Sequence, residues 1–348
     1  MHASAHLPLR CCIIGATGFI GGQIARAAID NGWRVRGVRR RPDALGAVDD
    51  LPIEWVSGDL GDPASLVSAM RDCPLVFHAA GYYPRRSGRV WQAVRDAVQG
   101  MRHVLAAAAE TNVKRLIYTS SLSTVGQPTE PGCLANESDL YVPGTAPNTY
   151  FEAKWAMEAE AMRAAEQGVP VVTVIPTATF GPGDVKPATG TLLLMAAKGL
   201  VPGYPPGVIN VVDVRDVAVG HIAAADHGRT GQRYILGGHN LAIAEILTVM
   251  ARAAGRKPPC LRLPLRSVTA LGAVASALGI TGSSLLRAAD RLQPLDDSWS
   301  RSELRLGPPI AFEQTCLDAL DWFRAYGYLK TKVRVSPGHP NGEPPTSD

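Results

Sequence analysis

Seven residues, Gly15-Ala-Thr-Gly18-Phe-Ile-Gly21, constrain this chain more than any others. They stand between a short apolar run, Leu9 to Ile14, and a stretch of helical spacing, Phe19 to Asn31, that stops at the C-cap signal Asn31-Gly32. In a strand-to-helix turn each glycine has a task. Gly15 permits the tight turn, Gly18 lets a pyrophosphate approach the backbone, and Gly21 lets the helix pack closely on the sheet. The free N–H groups and dipole at the helix start then favour negative charge. Gly15, Thr17, Gly18, Phe19 and Ile20 are therefore the expected seat of a dinucleotide diphosphate.

The pattern continues as alternating strand and helix. Strands are expected at Trp33 to Val38, Ile53 to Val56, Leu75 to His78, Arg115 to Tyr118 and Val171 to Ile175, with helices over 90–111 and 148–167. Continuous apolar strands alternating with helices mean a parallel, doubly wound α/β sheet covered on both faces. From Gly181 the texture changes. Gly and Pro are dense through Gly207, with one helix expected over 190–199, a return strand at Val208 to Val212, and a helix from Asp213 to Asp226. Residues 240–330 read as largely helical. The expected division is a flexible N-terminus (1–8), a dinucleotide-binding domain (9–181 and 208–235), a smaller substrate-binding domain (182–207 and 236–330) and a disordered tail (331–348) with four prolines.

Composition excludes several classes. Apolar residues make up 46% of 348, enough for a sizeable core, and the net charge of +4 is mild and scattered. No nucleic-acid partner is expected. Six cysteines at this length make no disulfide scaffold, and without Cys-x-x-Cys or a close His/Cys cluster no metal is expected. Cys11 and Cys12 read as buried strand residues. The first eight residues hold no long apolar stretch, so the cytoplasm is the expected location. Residues 267–286 approach the length of a membrane span but carry three glycines and six Ser/Thr. A helical roof over a cavity is the preferred reading, with shallow, peripheral membrane contact second.

The second strand ends at Val38, and an acidic residue for the ribose 2′-hydroxyl usually follows. Here Arg39, Arg40 and Arg41 follow instead. A carboxylate would repel a 2′-phosphate, whereas a guanidinium pairs with one. NADP(H) is the expected cofactor, with NAD(H) the second choice. Asp59 and Leu60, after the third strand, are placed to touch adenine, and Ala79, Ala80 and Gly81 line the next loop.

Tyr150-Phe-Glu-Ala-Lys154 puts a phenol and an ammonium one helical turn apart. A phenol of pKa about 10 is a poor acid/base at neutral pH, and a nearby cation draws it down. Ser121 lies at the carboxyl end of the fifth strand, where ligand crevices of doubly wound sheets open. Its hydroxyl can hold a substrate oxygen beside Tyr150.

The glycine triplet, His78-Ala-Ala-Gly, Tyr118-Thr-Ser-Ser121 and Tyr150-x-x-x-Lys154, with Phe180-Gly-Pro182 and Val212-Asp-Val-Arg-Asp216-Val-Ala, resemble the extended short-chain dehydrogenase/reductases of the epimerase/dehydratase superfamily. The likeness runs from about residue 10 to 328. It implies a Rossmann-type domain with a smaller, mostly helical C-terminal substrate domain. It also implies hydride transfer with Tyr150 as acid/base, Lys154 lowering its pKa and holding the nicotinamide ribose, Ser121 orienting the substrate, and Pro176 to Thr179 bordering the carboxamide. Many nucleotide-sugar members carry Asn where this chain has Ala97, and Arg-x-x-Asn where it has Ile175-Pro-Thr-Ala178. That stretch is closer to the dihydroflavonol-reductase and 3β-hydroxysteroid-dehydrogenase branch. Asn210 to His221 and Gly231 to Gly238 are similar to hopanoid-associated sugar epimerases.

The leading expectation is an NADP(H)-dependent oxidoreductase acting on a carbonyl or alcohol of a small, largely apolar or glycosyl-bearing molecule. The alternatives are an epimerase or dehydratase of a nucleotide sugar and a non-catalytic dinucleotide sensor. Specificity is expected in 82–96, 182–207 and 255–300, and the expected assembly is a homodimer through the helices at 90–111 and 148–167.

Overall fold

The computed structural model describes residues 9–43, 46–81, 90–145, 149–268, 270, 272 and 293–329. The expected flexible N-terminus, the tail and nearly all of 267–286 lie outside the described residues.

The first half runs β1 (Arg10–Ile14), α1 (Phe19–Asp30), β2 (Arg34–Arg39), β3 (Glu54–Ser57), α2 (Pro63–Met70), β4 (Leu75–His78), α3 (Val90–Glu110), β5 (Arg115–Thr119) and α4 (Thr149–Glu166). The second half runs β6 (Val171–Pro176), β7 (Ala178–Phe180), α5 (Gly190–Lys198), β8 (Gly203–Tyr204), β9 (Val208–Asp213), α6 (Val214–His227), β10 (Arg233–Leu236), β11 (His239–Ala242), α7 (Ile243–Ala253), β12 (Leu261–Arg262), α8 (Ser298–Glu303) and α9 (Phe312–Ala325).

Seven strands form one sheet of order β10-β6-β5-β4-β1-β2-β3, every pairing parallel. The expected doubly wound α/β architecture is thus present. Alternation in the strands sorts the core into two layers. Cys11, Ile13, Phe77, Ile117, Val172 and Val174 pack against α1 and α6. Cys12, Ile14, Val76, Leu116 and Tyr118 pack against α2, α3 and α4. Cys11 and Cys12 are both fully buried, as their apolar run implies, and burial pushes the Cys11 thiol up to about 12.

The strand order reverses between β1 and β4, so the loops after these two strands diverge from a common crevice at the carboxyl edge. After Pro176 the chain leaves the main sheet. β7 pairs in parallel with β9, and β9 pairs antiparallel with β11, making a second sheet. The strand at 208–213 joins that second sheet, and Arg233–Leu236 is the strand that extends the first. Phe180, Leu193, Val211, Ile246, Leu247, Met250, Leu320 and Phe323 form the core beneath α5, α7 and α9.

Candidate active site

The glycine loop is built by steric exclusion. Gly15 has φ +94°, and a Cβ there would lie 2.7 Å from the backbone nitrogen of Ala80. A Cβ on Gly21 would lie 2.1 Å from the carbonyl oxygen of Gly15. The first glycine therefore brings the β1 and β4 loops together, and the third seats the helix on the turn. The Ala79 amide donates to the Ile14 carbonyl at 2.9 Å, which fixes Ala79, Ala80 and Gly81 beside Gly15. Gly18 is the N-cap of α1, without a side chain to take the first N–H groups and without an acidic residue in the first turn. Thr17, Phe19 and Ile20 are half-buried around it. This bare, positively polarised helix start fits a dinucleotide diphosphate.

Along the outer strands Arg39 closes β2, half-buried, with its guanidinium 5.0 Å from the centre of the Trp55 ring. Arg40 lies 3.9 Å from the Asp59 carboxylate, an exposed pair. Asp59 also accepts from the Gly61 amide at 2.7 Å, so its side chain shapes the turn that carries the half-buried Leu60. Pro176 ends β6, and Thr179, in β7, is buried with its hydroxyl donating to the Thr177 carbonyl at 3.0 Å.

The third group sits under α4. Tyr150 and Lys154 follow one another by a turn on this helix, Tyr150 half-buried and Lys154 only 4% exposed. The Lys154 ammonium donates to the Thr119 carbonyl at 3.0 Å and lies 5.6 Å from the centre of the Tyr118 ring. Burial pushes it down to about 8, a shift that the negative charge of Glu158 opposes. Ser121 follows β5 and caps a single 3-10 turn, Leu122–Thr124, its hydroxyl oxygen 3.3 Å from the Ser123 amide. Lys154 is thus anchored on the last residue of β5, two positions before Ser121.

Around them lies a polar layer that the motifs did not announce. Glu158, 4% exposed, accepts from the Ser120 hydroxyl, from the Thr124 hydroxyl at 2.8 Å, and from Arg233 Nε at 2.5 Å. Arg233 also donates to the Thr124 carbonyl at 2.9 Å. His78 is fully buried against Tyr118, ring centroids 5.6 Å apart, and neither of its ring nitrogens has a hydrogen-bond partner among the described residues. Burial, and next the Lys154 charge, hold its imidazole down to about 3. Glu158 had a signal available, since Tyr150, Lys154 and Glu158 repeat at four-residue steps. Arg233 had none, because its partner is 75 residues away.

A pocket of about 300 Å³ opens between Leu122 and Phe151, the residues that follow Ser121 and Tyr150. Val125, Leu140, Tyr141, Ile209 and Leu295 form most of its apolar wall, with Asn210 and Gln293 as polar points. Its one charged lining residue, Asp139, accepts from the Thr129 and Asn136 amides, each at 2.9 Å. No arginine or lysine lines it among the described residues. Leu295 is held by Asn240, whose side-chain amide accepts from the Leu295 N–H at 3.0 Å and donates to its carbonyl at 2.8 Å. Of the expected specificity segments, 82–89 lie outside the described residues, 255–300 contributes Gln293 and Leu295 to this pocket, and 90–96 and 182–207 do not line it. Its walls come chiefly from 122–145, after β5, and from β9.

Residues 11–237 match the model of the NAD dependent epimerase/dehydratase family. A Synechocystis protein named as a candidate dihydroflavonol 4-reductase is 35% identical over 340 residues, covering 92% of this chain and 96% of the relative. Sterol demethylase protein B of Methylococcus capsulatus is 29% identical, covering 91% and 99%. The crystal structure of a Pseudomonas aeruginosa protein described as a nucleoside-diphosphate-sugar epimerase superposes with a TM-score of 0.79 at 27% identity, covering 92% and 99%.

Proposed function

Since the chain belongs to the NAD dependent epimerase/dehydratase family, we propose that it is a reductase of the extended short-chain type acting on a small apolar carbonyl compound with NADP(H). The observation that carries the substrate class is the pocket lined by Leu122 and Phe151, the chain neighbours of Ser121 and Tyr150, with a largely aliphatic and aromatic wall and no lysine or arginine among the described residues. A diphosphate needs several aimed donors, because its charge is expensive to bury unpaired. An apolar ring system needs only enclosed surface, worth roughly 25 cal/mol per Å².

A dinucleotide with its diphosphate on the glycine loop would supply a hydride from its nicotinamide to the substrate's carbonyl carbon. Tyr150 donates its phenolic proton to the carbonyl oxygen as that oxygen gains charge. The Lys154 ammonium stabilises the phenolate left behind, and its anchor on the Thr119 carbonyl keeps it from swinging away. The Ser121 hydroxyl donates to the same substrate oxygen and fixes its position relative to Tyr150. Arg39 supports the choice of NADP(H), because its guanidinium stands where β2 ends and Arg40 and Arg41, not a carboxylate, come directly after it. NAD(H) is the alternative. The homodimer through α3 and α4 and the cytoplasmic location belong to this reading as expectations.

The test is a screen with saturating cofactor, reading thermal shift and NADPH oxidation. Ring-bearing or terpenoid ketones should stabilise the protein and consume NADPH, while UDP- and GDP-sugars should do neither. Stabilisation by a nucleotide sugar alone would restore the epimerase reading, for which the Pseudomonas aeruginosa structure is the supporting likeness. Cofactor binding without turnover on either set would favour a dinucleotide sensor.

A further inference from the structure

Lys154 and Glu158 stitch α4 to the end of β5 at three neighbouring points. Lys154 bonds the Thr119 carbonyl, and Glu158 bonds the hydroxyls of Ser120 and Thr124. Ser121 lies inside this short span. The Thr124 amide donates to the Ser121 carbonyl at 2.9 Å, so the turn that presents Ser121 closes on the residue whose hydroxyl Glu158 holds. Tyr150, Lys154 and Glu158 are spaced by four residues and so run down one face of α4. The upper two carry the chemistry proposed above, and the third grips the segment that carries Ser121.

We propose that Glu158 is a positioning residue, a clamp that fixes the Ser121 turn against the face of α4 bearing Tyr150 and Lys154. The inference rests on the reading of Ser121, Tyr150 and Lys154 as the reacting set. A carboxylate suits the task because its two oxygens accept from several donors at once. Oε2 takes Ser120 and Thr124, and Oε1 takes Arg233. Arg233 in turn reaches the Thr124 carbonyl, so the last strand of the sheet backs the clamp from behind. All of these groups are buried, Glu158 and Arg233 with side chains 6% exposed. A charged pair there is costly to desolvate, and hydrophobic residues of equal volume often stabilise as well or better. Stability alone is therefore a weak reason for this pair, whereas holding a turn to within a fraction of an ångström is a strong one.

Removing Glu158 strands Arg233 and risks the fold, so the test cuts the other side of the clamp. Ser120→Ala with Thr124→Val removes both hydroxyls and leaves the Glu158–Arg233 pair intact. The full-length protein is assayed with NADPH and a carbonyl substrate found by the screen above. The expected result is a fall in kcat of about 10- to 100-fold, with the dissociation constant of NADPH changed less than about twofold and a melting temperature lowered by the loss of two donors to the buried Glu158 carboxylate. Ser120→Thr with Thr124→Ser, which restores both hydroxyls, should recover most of kcat. Full kcat in the Ala/Val variant overturns the clamp. So does a loss of kcat that comes with an equal loss of cofactor affinity, or that the hydroxyl-restoring variant fails to recover. Tyr150→Phe is run beside it. Full turnover in that variant brings down the reacting set, and the clamp with it, whereas an inactive Tyr150→Phe beside a fully active Ala/Val variant brings down the clamp alone.

Discussion

His78 and His221 are both fully buried, on opposite faces of the main sheet, and they are solvated by the protein in opposite ways. His221 on α6 has both ring nitrogens engaged. Nδ1 lies 2.7 Å from the Val217 carbonyl and must donate, so Nε2 accepts from the Thr119 hydroxyl at 2.8 Å. His78 lies against the Tyr118 ring, with no partner for either nitrogen among the described residues. The face under α1 and α6 completes its polar groups locally, from its own helix and the nearest strand. The face under α4 instead gathers Lys154, Glu158, Arg233 and an unbonded imidazole, and the proposed chemistry stands at its edge. Local rules are broken where function demands it and kept elsewhere.

The largest test of that contrast is Tyr150→Phe. It should lower turnover by about 10²–10⁴ while NADPH titration by fluorescence shows near-normal binding, because the ring packing is kept. Retained turnover would strip the α4 face of its role. Next is Glu158→Ala, which leaves Arg233 buried and unpaired and should cost about 3–5 kcal/mol in urea unfolding. A cost below about 1 kcal/mol would mean that water reaches the pair.

The histidines give the direct comparison. His221→Leu removes two hydrogen bonds and orphans the Thr119 hydroxyl and the Val217 carbonyl, for a loss of about 1–3 kcal/mol. His78→Leu removes none and should cost less than about 1 kcal/mol. Equal losses would break the distinction. Their pH dependence has the same sign. Burial holds the folded imidazoles at about 3 and about 4, below the ordinary 6.5. The unfolded chain therefore takes up protons that the folded chain refuses, so stability is complete above pH 6.5 and falls as pH drops toward 4. His78→Leu should flatten that slope, read as unfolding midpoints at pH 6.5 and 4.5.

The last test concerns the cofactor. NADPH should bind at least about tenfold tighter than NADH, about 1.4 kcal/mol. Arg39→Asp should invert the order by adding a repulsive charge. Equal affinities of the unmodified protein, by calorimetry at fixed salt, would remove Arg39 from the cofactor site.

What the sequence revealed follows from how far apart cooperating residues are. The glycine loop was legible because its geometry is steric and contained in seven consecutive residues, with Ala79 to Gly81 arriving on the next strand of the switch point. The parallel, doubly wound sheet followed from the alternation of apolar strands and helices, whereas its seventh strand, Arg233–Leu236, did not. The destination of 208–213 did not, because a five- or six-residue apolar run pairs equally well with either sheet, and the choice depends on β11, a short stretch inside a region that reads as helical. The pocket walls were missed for a similar reason. Residues 122–145 carry no regular period, and they reach their place through bonds such as Tyr141 and the Gly144 amide to Glu152, at 2.7 and 2.8 Å.

Asn240 imitates a strand. Its amide gives Leu295 the paired donor and acceptor that a neighbouring backbone residue would give. A backbone bridge to Ala135, with the Asp296 amide on the Ala135 carbonyl at 2.8 Å, holds the other side of the same segment. Deuterium uptake at the Leu295 amide therefore tracks the opening of this wall, while the amides of β5 and β6 wait for global unfolding. A ligand seated in the pocket slows that single exchange event, which makes one backbone proton a gauge of occupancy that works before any turnover is measured.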